Sequence, residues 1–208
     1  MYIELKNISK TIKGTKVLDN INYVFNSGKV YGIQGKNGCG KTMLMRVISG
    51  LIRQTEGTVN INGSILWKDM TFPSSIGTLI ETPAFIDSYT GFKNLKMLAS
   101  IKGNIGDEEI RTALTRVGLD SDDNRKYRKY SLGMKQKLGI ACAFMEYPDI
   151  VILDEPINAI DKDGVILVRD ILNDLKKRDK IVIIACHDAE EMKILADEII
   201  QMERGKVL

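Results

Sequence analysis

The sequence predicts an α/β fold with a parallel-sheet core, an antiparallel β subdomain and an inserted helical subdomain. Three observations carry this expectation. Short apolar runs bounded by turn residues alternate with helical periods at both ends of the chain. An Asn62-Gly63 pair, a strong hairpin signal, interrupts two alternating segments. From Thr90 to about Glu146 the pattern is mainly helical. At 208 residues the chain is long enough for one large domain. It is read as a single unit over 1–208, in which 1–80 and 147–208 supply the core and β subdomain and 81–146 the insertion.

The elements follow in order. "YIELKNI" and "KVLDNINYVF" read as strands whose residues alternate between faces. Ser27-Gly28 turns the chain into "KVYGIQ", a short buried strand, and a glycine-rich loop leads to "TMLMRVISG", a helix closed by Gly50. "GTVNINGSIL" is the hairpin. "TGFKNLKMLASI" places Phe92, Leu95, Met97, Leu98 and Ile101 near one helix face, and "GDEEIRTALTRVGL" begins at an Asp107 cap. Beyond Pro148 come the strand "DIVILDEP", a helix from about Asp163, the strand "KIVIIAC", the helix "DAEEMKILA" and the strand "DEIIQM".

Composition narrows the function classes. Thirty Lys and Arg against 27 Asp and Glu leave a net charge of +3, too near balance to support a nucleic-acid partner. No apolar stretch approaches the ~20 residues of a membrane helix, and "MYIELKNISK" lacks the basic-then-apolar order of a signal peptide. Cys39, Cys142 and Cys186 are odd in number and without metal-ligand spacing, so a reducing cytosol is expected.

"GKNGCGKT", from Gly35 to Thr42, fits G-x-x-x-x-G-K-[ST]. Gly35, Gly38 and Gly40 can turn successive amides inward to form an anion nest, and the following helix N-terminus also favours phosphate. Asn37, Cys39 and Met43 belong to the same nucleotide-binding set, with Cys39 in a steric role. Lys41 would reach the β- and γ-phosphates, and the Thr42 hydroxyl would ligate Mg²⁺. This is the expectation of a P-loop NTPase core. "IVILDEP" ends in Asp154 and Glu155, carboxylates at the sheet edge where α/β folds bind ligands. Asp154 would hold Mg²⁺ directly or through water, and Glu155 would polarise an attacking water. His187, the sole histidine, ends the run "IVIIAC"; taken alone it reads as a strand-end histidine.

"YSLGMKQKLGIACAF", from Tyr130 to Phe144, makes the reading specific. With the P-loop and "ILDEP", it resembles the nucleotide-binding subunit of an ABC transporter, over essentially the whole chain. The resemblance implies an ATPase with ATP and Mg²⁺, a second ATP-binding subunit, identical or different, and an integral membrane transporter subunit. It implies a cytoplasmic position on the inner face of the membrane. Ser131 and Gly133 fall in the family's signature, which would grip ATP held by the other subunit. Asp161 matches the aspartate that crosses that interface, and His187 the switch histidine that would hydrogen-bond the γ-phosphate.

Three positions depart from the family's pattern. Glu81 stands where the family usually has glutamine; its carboxylate would still ligate Mg²⁺ or its water, but adds negative charge beside ATP. Ile12 stands where an aromatic residue usually stacks on adenine and would give the base apolar contact without stacking, and Ile157 stands where a small hydroxyl residue is common. "IETP", "YTGFKNL" and the signature wording resemble bacitracin-resistance and lantibiotic-immunity exporters. That implies a peptide or lipid-linked substrate, and a membrane-subunit helix inserted near Glu81 and Phe85. Two other readings compete: a soluble ABC ATPase of iron–sulfur assembly, translation or repair, and a nucleotide-binding switch with little hydrolysis. One nucleotide domain without coiled coil or zinc insertion weighs against the translation and repair classes; Glu155 and His187 together weigh against the switch.

Overall fold

Why the strands sort into two sheets follows from which of their faces are apolar. In the computed structural model, which describes Met1–Leu208, β1 (Tyr2–Ile12) and β2 (Thr15–Asn26) form a long hairpin. Next, β3 (Lys29–Gln34) leads into α1 (Lys41–Ile48), followed by β4 (Glu56–Ile61), β5 (Ser64–Ile65) and β6 (Ile76–Leu79). The helical segment comprises α2 (Gly91–Lys102), α3 (Asp107–Arg116), a 3-10 turn at Tyr127–Lys129 and α4 (Leu132–Phe144). Then come β7 (Ile150–Asp154), α5 (Lys162–Lys177), β8 (Ile181–Ala185), α6 (Ala189–Leu195), β9 (Glu198–Glu203) and β10 (Lys206–Val207).

The amphipathic N-terminal strands pair antiparallel in the order β2-β1-β4-β5. Asn62 and Gly63 both have positive φ, 50° and 90°, the geometry of a two-residue hairpin turn matched to strand twist. The second sheet has the order β10-β9-β3-β8-β7-β6. Its strands are parallel except β10, which pairs antiparallel with β9 at the edge. Every residue of β7 and β8 is buried, as expected for parallel strands covered on both faces.

The two-residue period assigns each face to a core. Ile150, Ile152, Ile181 and Ile183 pack with α1 and the antiparallel sheet. Val151, Leu153, Val182 and Ile184 pack with the helical segment and α5. The mixed architecture is therefore the expected one.

Two local expectations need correction. On α2 the buried residues are Gly91, Asn94, Leu95 and Ala99, whereas Met97 and Ile101 are 39% and 77% exposed. Asn94 takes the inward place because the preceding loop needs it: its side chain bonds the Ile86 N–H at 2.9 Å, the Ile86 carbonyl at 3.2 Å and the Thr90 carbonyl at 3.0 Å. The cap of α3 is Gly106, one residue before Asp107; the Gly106 N–H donates to Glu109 Oε2 at 2.9 Å, and Asp107 pairs with Lys96 at 2.8 Å.

Helix α4 approaches the sheet at backbone distance. A Cβ at Gly77 on β6 would collide with the Ala143 carbonyl, and one at Gly139 would meet Leu79 Cδ1 at 2.8 Å and Pro83 Cβ at 2.9 Å. Replacing Gly77 with Ala should lower stability by roughly 1–3 kcal/mol or more through overpacking, read as a lower urea midpoint with unchanged slope.

Candidate nucleotide site

Register brings the ends of three strands to one level. Ile33 on β3 and Asp154 on β7 both pair with Ala185 on β8. The loop after β3, the acidic pair after β7 and the segment carrying His187 therefore leave the sheet together, at the carboxyl edge where open α/β folds bind ligands.

The loop from Gly35 to Thr42 is built by its glycines. Gly38 and Gly40 have φ of 79° and 112°, which side-chain-bearing residues rarely adopt, and Gly40 caps α1. Lys41 is buried, and its Nζ donates to the Gly35 carbonyl at 2.7 Å and to the Lys36 carbonyl at 3.4 Å. The C-terminal hairpin backs the loop: the Gly205 N–H donates to the Cys39 carbonyl at 2.8 Å. Cys39 is buried against Gly35, consistent with a steric role.

A cleft of about 450 Å³ opens above the loop. Asn37, Gly38, Gly40, Lys41, Thr42 and Met43 line it, with Asp154 and Glu155 at its far wall. Thr42 Oγ1 donates to Asp154 Oδ2 at 2.6 Å. Asp154 is only 9% exposed. Burial pushes its carboxyl above the usual carboxylate range; the Thr42 bond opposes that shift, and the charge of Glu155 adds to it. This donor set, one hydroxyl and one carboxylate beside a phosphate nest, fits Mg²⁺, which takes few protein oxygens and completes its shell with water and phosphate.

Glu155 has φ of 50°, a left-handed angle that costs a non-glycine residue roughly 1–3 kcal/mol. Its N–H donates to the Ala185 carbonyl at 2.9 Å. His187 Nδ1 donates to Glu155 Oε2 at 2.7 Å, which leaves Nε2 available to a ligand. The expected catalytic pair is thus in direct contact.

The remaining expected residues lie outside this cleft. Gly35 and Cys39 turn toward an adjoining groove formed with Gln201, Met202 and Arg204. Ser131 caps α4, its Oγ accepting the Met134 N–H at 3.2 Å, and Gly133 lies within the first turn of that helix. Asp161 caps α5, accepting the Gly164 N–H at 3.2 Å, and pairs with Lys137 at 3.0 Å within its own chain. Ile12 sits at the tip of the first hairpin, where Lys13 and Gly14 form the turn; Val17 on β2 and Met43 are the apolar residues that line the cleft. Nothing in the sequence pattern singled out Val17.

Glu81 follows β6 with φ of 64° and is 61% exposed at its side chain. Its Oε1 forms an ion pair with Arg46 Nη2 of α1 at 2.6 Å, so the carboxylate is turned to a cation rather than joined to Thr42 and Asp154. It stays near enough to contribute to the raised pKa of Asp154. Arg46 was not foreseen either, since its partner lies on a different element. Phe85 is half-buried and packs against Tyr127 of the subdomain core, ring centroids 5.3 Å apart.

A phosphate nest facing a buried aspartate and its half-buried glutamate neighbour on a parallel sheet, with a helical insertion and an antiparallel subdomain, defines a nucleotide-hydrolysing cassette. The profile of the family described as ABC transporter matches residues 18–158. The chain belongs to the ABC transporter family and is an ATPase of that family. It is 48% identical to the ABC transporter ATP-binding protein YybJ of Bacillus subtilis, over 99% of this chain and 94% of that protein. It is 38% identical to the bacitracin transport ATP-binding protein BcrA of Enterococcus faecalis, over 99% and 68% respectively. The lantibiotic transport ATP-binding protein SrtF of Streptococcus pyogenes is 32% identical over 99% and 89%. Among solved structures, a dimeric bacterial ABC transporter cassette aligns with a TM-score of 0.90 and 26% identity, covering 99% of this chain and 96% of that one.

Because Arg46 offsets the charge of Glu81, replacing Glu81 with Gln should leave basal phosphate release within about tenfold of the parent, a barrier change of no more than about 1.4 kcal/mol. A larger loss would place this carboxylate in the chemistry.

Proposed function

We propose that this chain hydrolyses ATP to drive a separate membrane subunit, in an exporter of an antimicrobial peptide. The observation that carries the catalytic part is the two contacts Thr42–Asp154 and Glu155–His187 beside the phosphate nest. The names of the bacitracin and lantibiotic relatives support the substrate class. No helix of the chain is long and apolar enough to cross a membrane; in this reading a separate subunit spans it and the chain acts on its inner face.

In this reading the loop amides and Lys41 bind and orient the β- and γ-phosphates. Thr42 and Asp154 would hold Mg²⁺, with Glu81 an outer contributor once released from Arg46; the metal supplies charge neutralisation at the phosphate oxygens. Glu155 takes a proton from the attacking water; His187 aims that carboxylate through Nδ1 and, when the ring carries both protons, donates from Nε2 to the γ-phosphate. Ile12 and Val17 would give the adenine apolar contact. Ser131, Gly133 and Asp161 would act across a dimer interface, on nucleotide bound by a second ATP-binding subunit. Residues 81–146 would move as the coupling unit between the ATPase core, 1–80 and 147–208, and the membrane subunit. Met97 and Ile101, apolar and outward on α2, are the surface that unit offers.

Replacing Glu155 with Gln should reduce phosphate release at least about a hundredfold, a loss of roughly 2.7 kcal/mol in transition-state stabilisation. ATP with Mg²⁺ should then trap a dimer, seen by light scattering on a sizing column. Parental turnover in that variant would remove Glu155 as the base, and a persistent monomer with the membrane subunit present would remove the two-chain site.

A further inference from the structure

Gln136 is a buried polar side chain, 9% exposed on α4, with no part in the chemistry described above. Its Nε2 donates to the main-chain carbonyl of Glu155 at 2.8 Å. That carbonyl also accepts the Asn158 N–H at 3.1 Å. Glu155 holds φ of 50°, an angle that persists in a non-glycine residue only where the surroundings over-determine it. Among these restraints, Gln136 is the one supplied by a side chain of the helical segment.

The same face of α4 grips the segment that follows Glu155. Gly133 lies where a Cβ would meet the Ala159 carbonyl at 2.6 Å, and Lys137 pairs with Asp161 at 3.0 Å. Spacing of three and four residues places Gly133, Gln136 and Lys137 on one helix face.

We propose that Gln136 is a positioning residue for ATP hydrolysis: its hydrogen bond to the Glu155 carbonyl fixes the backbone from which the catalytic carboxylate projects, and ties the aim of that carboxylate to α4. The proposal rests on the reading of Glu155 as the group that takes the water's proton. A scaffold role alone predicts something different. Helix α4 is already seated by Gly77, Gly139 and its apolar residues. The Glu155 carbonyl also keeps Asn158 when Gln136 is lost. Loss of Gln136 therefore falls on turnover rather than on folding or nucleotide affinity.

The test uses the full chain with Gln136→Met, of similar reach but no donor, and Gln136→Glu, of similar shape but acceptor-only when ionised. Phosphate release at saturating ATP and Mg²⁺, ATP affinity by calorimetry and thermal melting are measured, with Glu155→Gln in parallel. The expected result is a kcat lower by about ten- to a hundredfold in both Gln136 variants, with Kd for ATP within about threefold and melting close to the parent. Parental turnover in both variants beside a dead Glu155→Gln overturns the proposal and leaves the base standing. Affinity falling as far as turnover, or both variants failing to melt cooperatively, also overturns it by showing a scaffold role. Parental turnover in Glu155→Gln removes the base, and with it the reading on which the proposal rests.

Discussion

The seating of α4 on the sheet is the constraint from which the rest of the molecule follows. Helices that pack through side chains keep their axes well apart; α4 comes closer because Gly77 and Gly139 present no Cβ between helix and strand. Its C-terminal half is buried nearly all round, with Leu138, Ile140, Ala141 and Phe144 inside the core, so it can neither rotate nor slide cheaply. With that end fixed, the opposite end is placed by rigid geometry. Ser131 stands at the surface as a cap, and Gly133, Gln136 and Lys137 lie along the chain that leaves β7.

Electrostatics sets the second limit. Asp154, Glu155 and Glu81 gather at one sheet edge, where burial strengthens repulsion between them. Lys41 is the buried cation on the loop side, and Arg46 the partly exposed cation on the Glu81 side. The Arg46–Glu81 pair is half in solvent and worth little as stability, on the order of 0–1 kcal/mol. Its consequence is local: a carboxylate can occupy a position beside a triphosphate site without standing there uncompensated.

Much of this was legible in the sequence because the chemistry restricts residue types. A phosphate nest needs glycines with positive φ followed by a lysine and a hydroxyl, and Gly38, Gly40, Lys41 and Thr42 were read from that need alone. The fully buried strands β7 and β8 were legible as continuous apolar runs. What escaped depends on contacts between elements far apart in the chain. Arg46 meets Glu81, and Gln136 meets Glu155, only after the fold is made, and neither pair has a local spacing that announces it. The α2 face was misjudged for a related reason. Apolar periodicity pointed Met97 and Ile101 inward, but the unsatisfied loop at Ile86 and Thr90 drew Asn94 into the interior. Satisfying the loop's buried polar groups outweighed the burial of two more apolar side chains.

Glu155 and the start of α4 are restrained to different degrees. Glu155 is restrained on its N–H, its carbonyl and its carboxylate by Ala185, Asn158, Gln136 and His187, all within one chain. At the start of α4, Leu132 is 63% exposed beside the Ser131 cap, an apolar side chain that a lone chain leaves in water. In the proposed reading Glu155 is therefore aimed within one chain, and the exposed surface is the start of the helix that carries Gln136. If a second subunit covers that end, the force it exerts on α4 reaches Glu155 through a stiff helix and one hydrogen bond, not through a flexible loop. Such a connection can make hydrolysis wait for closure without any large rearrangement of the sheet, because only the backbone angle at a single strained residue has to respond.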